Sequence, residues 1–122
     1  MIWKLVFLAG CVGATYFLVK HIGLVRPSKA RLLLRQRGMV VDVRTDAEYR
    51  RGHLPGSINL PLGSLCEEIV KRSSKKTQVI LMYCGSGGRS RVGRRMLRQM
   101  GYKNVYNLGG YRRAAHILRG SV

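Results

Sequence analysis

The sequence predicts one small α/β domain with a mainly parallel central sheet flanked by helices, preceded by one transmembrane helix. Three observations carry that expectation. Short runs rich in β-branched residues alternate with stretches at helical spacing. The 122 residues suffice for one domain with a modest core, not two. The first 25 or so residues are far more apolar than the rest, so residues 1–25 read as a membrane anchor with its flank and residues 26–122 as the folded domain.

Leu5 to Val19 is uncharged, and its only polar positions are Thr15 and Tyr16. Adding Met1 to Trp3 and letting Lys4 snorkel gives about one bilayer length. Ile22 to Val25 can extend the run, with Lys20 and His21 at the headgroups. A cleaved export signal and a buried helix are the competing readings. Lys20, Arg26, Lys29, Arg31, Arg35 and Arg37 follow the segment, and only Lys4 precedes its core. Basic residues concentrate on the cytoplasmic side, so the expected arrangement is single-pass with the domain inside, and a periplasmic domain is the runner-up. Leu8-Ala9-Gly10-Cys11 is similar to the lipid-attachment box of bacterial lipoproteins. Only seven residues precede it and the apolar run continues beyond it, which favours Cys11 as a small apolar residue of the helix.

Within the domain, Ser28 is placed to cap a helix running to Arg37, ended by Gly38. Met39 to Val43 reads as a buried strand. Thr45 to Arg51 reads as a short helix in which Thr45 and Glu48 form a capping box. Gly52 to Ser57 is a loop and Ile58 to Leu60 a short strand. Leu62, Leu65, Cys66, Ile69 and Val70 recur at helical spacing, with Cys66 expected as a buried thiol. Gln78 to Tyr83 is the central strand. Ser90 to Met100 is a helix with Val92, Met96, Leu97 and Met100 inward, closed by Gly101. Lys103 to Asn107 is the last strand, Gly109-Gly110 a turn, and Tyr111 to Leu118 the closing helix.

In such folds chemistry sits in loops at strand C-termini. One of these begins near Arg44 and the other at Cys84, which opens Cys84-Gly85-Ser86-Gly87-Gly88-Arg89-Ser90. Gly85, Ser86, Gly87 and Gly88 leave their backbone N–H groups free to turn inward as a ring. The following helix adds its positive end, and Arg89 and Arg91 add more positive field. Such surroundings favour a thiolate on Cys84 and draw an anionic substrate to it. The plainer alternative is a buried cysteine before a tight turn.

Composition narrows the remaining chemistry. The chain has 23 Lys and Arg against 5 Asp and Glu, a formal charge of +18 at pH 7, which attracts anions. Cys11, Cys66 and Cys84 make no disulfide framework and no CxxC pair. His21, His53 and His116 form no ligand motif, so neither a metal nor another cofactor is expected.

From about Ser28 to Ala115 the chain resembles the rhodanese-like family of sulfurtransferases. Asp42-Val43-Arg44, Glu48-Tyr49 and Gly52-His53-Leu54-Pro55-Gly56-Ser57-Ile58-Asn59-Leu60-Pro61 are similar to the family's first block. Tyr83-Cys84 with Gly87, Arg89 and Ser90 is similar to its active-site loop, and Gly101-Tyr102, Val105 and Leu108-Gly109-Gly110-Tyr111 to its closing segment. The resemblance implies a rhodanese-like fold and a thiosulfate sulfurtransferase-like enzyme. Cys84 is the nucleophile it implies, attacking the outer sulfur of a donor such as thiosulfate and passing a persulfide sulfur to a thiol or protein cysteine. The ring Gly85, Ser86, Gly87, Gly88, Arg89 and Ser90 is the implied substrate-binding set. Within it Arg89 binds the anion and Ser90 caps the helix or ties the loop. Asp42 and Arg44 are expected as structural support, Arg44 and Glu48 as a surface pair, and His53 as a loop-packing residue rather than a base.

Gly85 stands where many members of the family carry a larger or basic residue, which predicts an open pocket mouth and looser specificity. Related dual-specificity phosphatases of the cell-cycle type need five residues between cysteine and arginine. Here four separate Cys84 from Arg89, which disfavours phosphoryl transfer. The rival class is a membrane-tethered persulfide carrier or a module that binds protein or anionic lipid, with Arg31, Arg35 and Arg37 against the bilayer. Nucleic acid is disfavoured because no aromatic row interleaves with the arginines. Arg91, Arg94, Arg95 and Arg98 share one helix, which a solvated face explains as readily.

Overall fold

A computed structural model describes residues 2–21 and 23–120, with the side chains of 17–21 outside the description. The chain forms α1 (Ile2–His21), α2 (Pro27–Arg35), β1 (Met39–Asp42), α3 (Asp46–Arg51), β2 (Ile58–Asn59), a 3-10 turn (Leu62–Ser64), α4 (Leu65–Arg72), β3 (Ile80–Cys84), α5 (Gly88–Gln99), β4 (Val105–Gly110) and α6 (Tyr111–Arg119). The strands make one parallel sheet in the order β2-β1-β3-β4.

Alternation along β3 builds both layers. Ile80, Met82 and Cys84 point to a core shared with Leu65 and Ile69 of α4 and Leu97 of α5. Leu81 and Tyr83 point to the other core, with Ala30 and Leu33 of α2 and Ala114 and Ile117 of α6. All five residues of β3 are fully buried, as a central parallel strand covered on both faces requires.

The mixed layout agrees with the sequence expectation, and several details do not. Pro27 takes the first helical position and Arg26 precedes it without a side-chain bond, so Ser28 lies inside α2 and is not its cap. Proline suits that position because the first N–H is unpaired anyway. The helix ends at Arg35, and Arg37, not glycine, takes the left-handed conformation (φ 62°). Gly38 serves close approach instead, since a Cβ there would lie 2.6 Å from Leu81 Cδ1 and 2.9 Å from the Leu33 carbonyl. On α5 the buried stripe is Ser90, Gly93 and Leu97, and Val92 is exposed. Cys66 is half-buried and Val70 exposed. The last strand starts later than expected and takes in Gly109 and Gly110.

The membrane assignment is corrected outright. Among the described residues no helix is long and apolar enough to cross a membrane. Leu5–Val19 is 15 residues, or ~22 Å of helix, against a hydrocarbon core of ~30 Å. Lys4 interrupts it at one end. The single-pass anchor and the bilayer as a partner are therefore withdrawn, together with the cytoplasmic placement of the domain. The side chains of Lys20 and His21, expected at the headgroups, and residue Ile22, expected to extend the run, lie outside the description. Arg31 packs inward, its Nε donating to the Ile117 carbonyl at 3.3 Å.

Tyr83 links the sheet to the loop after α3. Its hydroxyl accepts from the Leu54 N–H at 3.1 Å and shares a 3.0 Å bond with Ser57 Oγ. Burial pushes the phenol up to about 12, so it stays neutral. Tyr83→Phe leaves the Leu54 N–H buried and unpaired. It should cost about 1–3 kcal/mol, read as a lower denaturant midpoint with an unchanged slope. A midpoint equal to wild type would show that the loop does not depend on this bond.

Candidate functional site

The site is built where β3 ends and α5 begins. Cys84 is the last residue of β3 and is fully buried. The chain then turns through Gly87, which is left-handed (φ 96°) and precedes the first helical residue, Gly88. A Cβ on Gly87 would lie 3.4 Å from Gly109 Cα, so glycine suits both the turn and the approach of β4. Tyr111 N–H donates to the Gly85 carbonyl at 3.2 Å and fixes the loop's other flank.

Donors converge on the Cys84 sulfur. The Gly87 N–H lies 3.0 Å away, the Ser90 N–H 3.5 Å and Ser90 Oγ 3.4 Å. Burial pushes the thiol up. Hydrogen bonds from the Ser90 hydroxyl and from the amides of Ser90, Gly87 and Ser86 outweigh it, leaving the thiol below its ordinary value. The expected ring is thus partial: the amides of Gly85, Gly88 and Arg89 make no hydrogen bond to the sulfur.

Ser90 is not the helix cap; it sits in the first turn of α5 and ties the loop. Its hydroxyl reaches Asn107 Oδ1 at 2.7 Å and the Gly87 carbonyl at 3.1 Å, besides the sulfur. Asn107 Oδ1 also accepts from Gly109 N–H at 2.8 Å. The sequence reading missed Asn107. Its one signal is an amide side chain inside an otherwise apolar strand, where it is 2% exposed.

Arg89 does not stand alone at the mouth. It makes a two-pronged ion pair with Glu48, at 2.6 and 3.0 Å. The Arg89 bond, with those from Thr45, holds the Glu48 carboxyl down to about 2. The guanidinium also fills space left by Gly85, where a Cβ would lie 3.3 Å from Arg89 Nη2. The expected open mouth is therefore occupied. The expected Arg44–Glu48 pair is replaced as well, because Arg44 is turned inward. It binds both oxygens of Asp42, donates to the Gly52 carbonyl at 2.7 Å, and lies over the Tyr83 and Tyr111 rings. Asp42 also accepts from Arg44 N–H at 2.9 Å. Glu48 is left to α3, where the capping box aims it across the site. His53 stacks on Tyr49, ring centroids 3.7 Å apart, and its Nδ1 is 2.9 Å from the Tyr49 carbonyl.

Such an arrangement can hold a sulfur anion in a buried place and present a guanidinium beside it. The chain is similar to known proteins in sequence and in fold. The rhodanese-like domain family model matches residues 27–115. The thiosulfate sulfurtransferase PspE of Escherichia coli is 36% identical over 70 residues, covering 57% of this chain and 67% of that protein. Thiosulfate sulfurtransferase 18 of Arabidopsis thaliana is 36% identical over 95 residues, covering 68% and 70%. The solved structure of a human single-domain sulfurtransferase is 25% identical with a TM-score of 0.64, covering 77% of this chain and 96% of that one. The chain belongs to the rhodanese-like domain family, and its fold and relatives support an enzyme of the thiosulfate sulfurtransferase type.

Proposed function

We propose that this protein moves a sulfane sulfur from thiosulfate, or a similar small anionic donor, to a thiol acceptor through a persulfide on Cys84. The carrying observation is the convergence of the Gly87 N–H, Ser90 N–H and Ser90 Oγ on one buried sulfur. The thiolate attacks the outer sulfur of the donor. The Cys84 Sγ–S bond forms, the donor's S–S bond breaks, and its electron pair leaves with sulfite. An acceptor thiolate then attacks the terminal sulfur of the persulfide and returns Cys84 as thiolate. Charge is conserved in both displacements, so no general base is required once the thiol is ionised.

The amides and the Ser90 hydroxyl stabilise anionic sulfur, in the way fixed dipoles stabilise developing charge. Arg89 is the anion-binding residue of this reading. Glu48 holds it at rest, and the donor's sulfonate competes for the same guanidinium. Asp42 and Arg44 act from below, fixing the loop ahead of α3.

Incubation with thiosulfate should add one sulfur atom to the intact mass, localised to the Cys84 peptide. Cys84→Ser should abolish this gain and lower turnover by on the order of 10³ or more. A Cys84 peptide without added sulfur after thiosulfate alone, with no acceptor present, would end the proposal.

A thiol lowered on folding is thiolate above its folded pKa, so alkylation of Cys84 should rise with pH around a midpoint below that of free cysteine. Ser90→Ala removes the first of the lowering donors and should raise that midpoint. Equal midpoints in the two proteins would remove Ser90 from this role.

Two substitutions separate the roles of Arg89 and Glu48. Arg89→Gln should raise the thiosulfate KM by about tenfold. Glu48→Gln frees the guanidinium and should lower KM. If both substitutions shift KM in the same direction, Glu48 positions Arg89 rather than competing with the donor.

A further inference from the structure

Four arginines of α5 stand apart from the sulfur chemistry. Arg91, Arg95 and Arg98 are exposed, and Arg94 turns partly inward. Together with Gly23 and Asn107 they line a groove of about 450 Å³. Among the described residues none of the four is in an ion pair, and the carboxylates that are paired sit elsewhere, Asp42 with Arg44, Asp46 with Arg50, Glu68 with Lys71 and Glu48 with Arg89. Arg94 is half-buried, with Nε donating to the Val105 carbonyl at 2.9 Å. Burial and the neighbouring Arg98 both disfavour its charge. Concentrated positive charge without counter-charge, partly withdrawn from water, is an arrangement that an anion relieves.

Helix geometry indicates the kind of anion. Arg91 and Arg95 are four residues apart, as are Arg94 and Arg98, so each pair has neighbouring side chains about 5–6 Å apart at Cβ. Successive pairs are offset along the axis by about 4.5 Å. Two pairs of planar forks match two adjacent tetrahedral anions, each accepting bidentate bonds. Four positive charges are matched by the three to four negative charges of a diphosphate, whereas one carboxylate or sulfonate leaves most of them unpaired. The groove is larger than a bare diphosphate and falls within the ~300–1,000 Å³ range of small-molecule sites, leaving room for an attached organic group.

We propose that this groove binds a small ligand carrying a diphosphate group, at a site separate from Cys84. The two sites share Asn107, whose side chain bonds Ser90 and which lines the groove.

The test is calorimetric titration of the full chain with inorganic pyrophosphate and, at matched ionic strength, with inorganic phosphate. Pyrophosphate should bind at least about tenfold tighter than phosphate. The Arg95→Gln/Arg98→Gln double substitution should weaken it by about tenfold or more. These two side chains are exposed and the Arg94 bond to Val105 is kept, so an unchanged thermal melt can establish that the variant is folded. Arg112→Gln on α6 removes one exposed charge elsewhere and should leave affinity within about twofold. Undetectable pyrophosphate binding overturns the proposal. So does equal affinity for the two anions, or a loss on Arg112→Gln as large as that of the double variant; each would mark diffuse attraction to a +18 chain. Persulfide formation on Cys84 is a separate readout, and its failure would leave this result standing.

Discussion

The buried side chain of Asn107 is the constraint on which the site rests. It lies on β4 beside β3, and the pairing between these strands slips at Met82/Tyr83. That slip places Gly109 and Gly110 opposite Tyr83 and Cys84. Asn107 Oδ1 accepts from Gly109 N–H two residues on, an Asx-type bond that stabilises an irregular turn of backbone. The same oxygen accepts from Ser90, and Ser90 reaches the sulfur. One amide therefore couples the bulge in β4, the first turn of α5 and the cysteine. Because Gly109 N–H fixes which end of the amide is oxygen, the Ser90 hydroxyl is oriented as a donor toward it. Its single proton can serve Asn107, the Gly87 carbonyl or the sulfur. As the sulfur gains charge, rotation of that proton toward it strengthens the bond to Cys84 while Gly109 N–H keeps Asn107 satisfied.

Burial and ionisation oppose each other at Cys84. Its side chain belongs to the apolar core between the sheet and α4–α5, a place that penalises charge. Two amides and a hydroxyl within 3.5 Å replace the water the anion gives up. The overall positive charge does not do this work, since it acts at long range and is screened by salt. It serves encounter with an anion, while the loop serves the anion once it is bound. The two effects are separable because one depends on total charge and the other on the angles of a few N–H groups.

The fold was legible because periodicity and turn chemistry agree along most of the chain. β3 is an apolar run before a glycine-rich turn, and Thr45 with Glu48 announces a capping box that the structure contains. Gly101 is left-handed as the end of α5 requires. What sequence could not supply were contacts between distant segments. Arg89 meets Glu48 across 41 positions and Ser90 meets Asn107 across 17, and no local pattern encodes either. Arg44 and Glu48 are expected as a surface pair, but Asp42 and the Tyr83 and Tyr111 rings hold Arg44 inside. Apolarity places Val92 inward, yet the inward position belongs to Gly93. A Cβ there would lie 2.8 Å from Met82 Cε; packing distance, not hydrophobicity, decides that helix face. The N-terminal run failed as a membrane span on length, a quantity apolarity does not report.

Under the proposed chemistry, loop size explains why Arg89 is paired at rest. A persulfide extends the side chain by an S–S bond of about 2.05 Å. The donors already at 3.0–3.5 Å surround Sγ, so the added sulfur must lie beyond them, toward the mouth at Gly85. That is where the guanidinium of Arg89 stands. An unpaired arginine there would hold both the outgoing sulfite and the persulfide, and tight binding of a product slows turnover as surely as weak binding of substrate slows capture. Glu48 offers the guanidinium another partner of similar geometry, so the anion is bound against a competitor and can be released to it. The capping box fixes that carboxylate through Thr45, and the site thereby gains a graded affinity for anions from a residue three positions into a helix that carries no chemistry of its own.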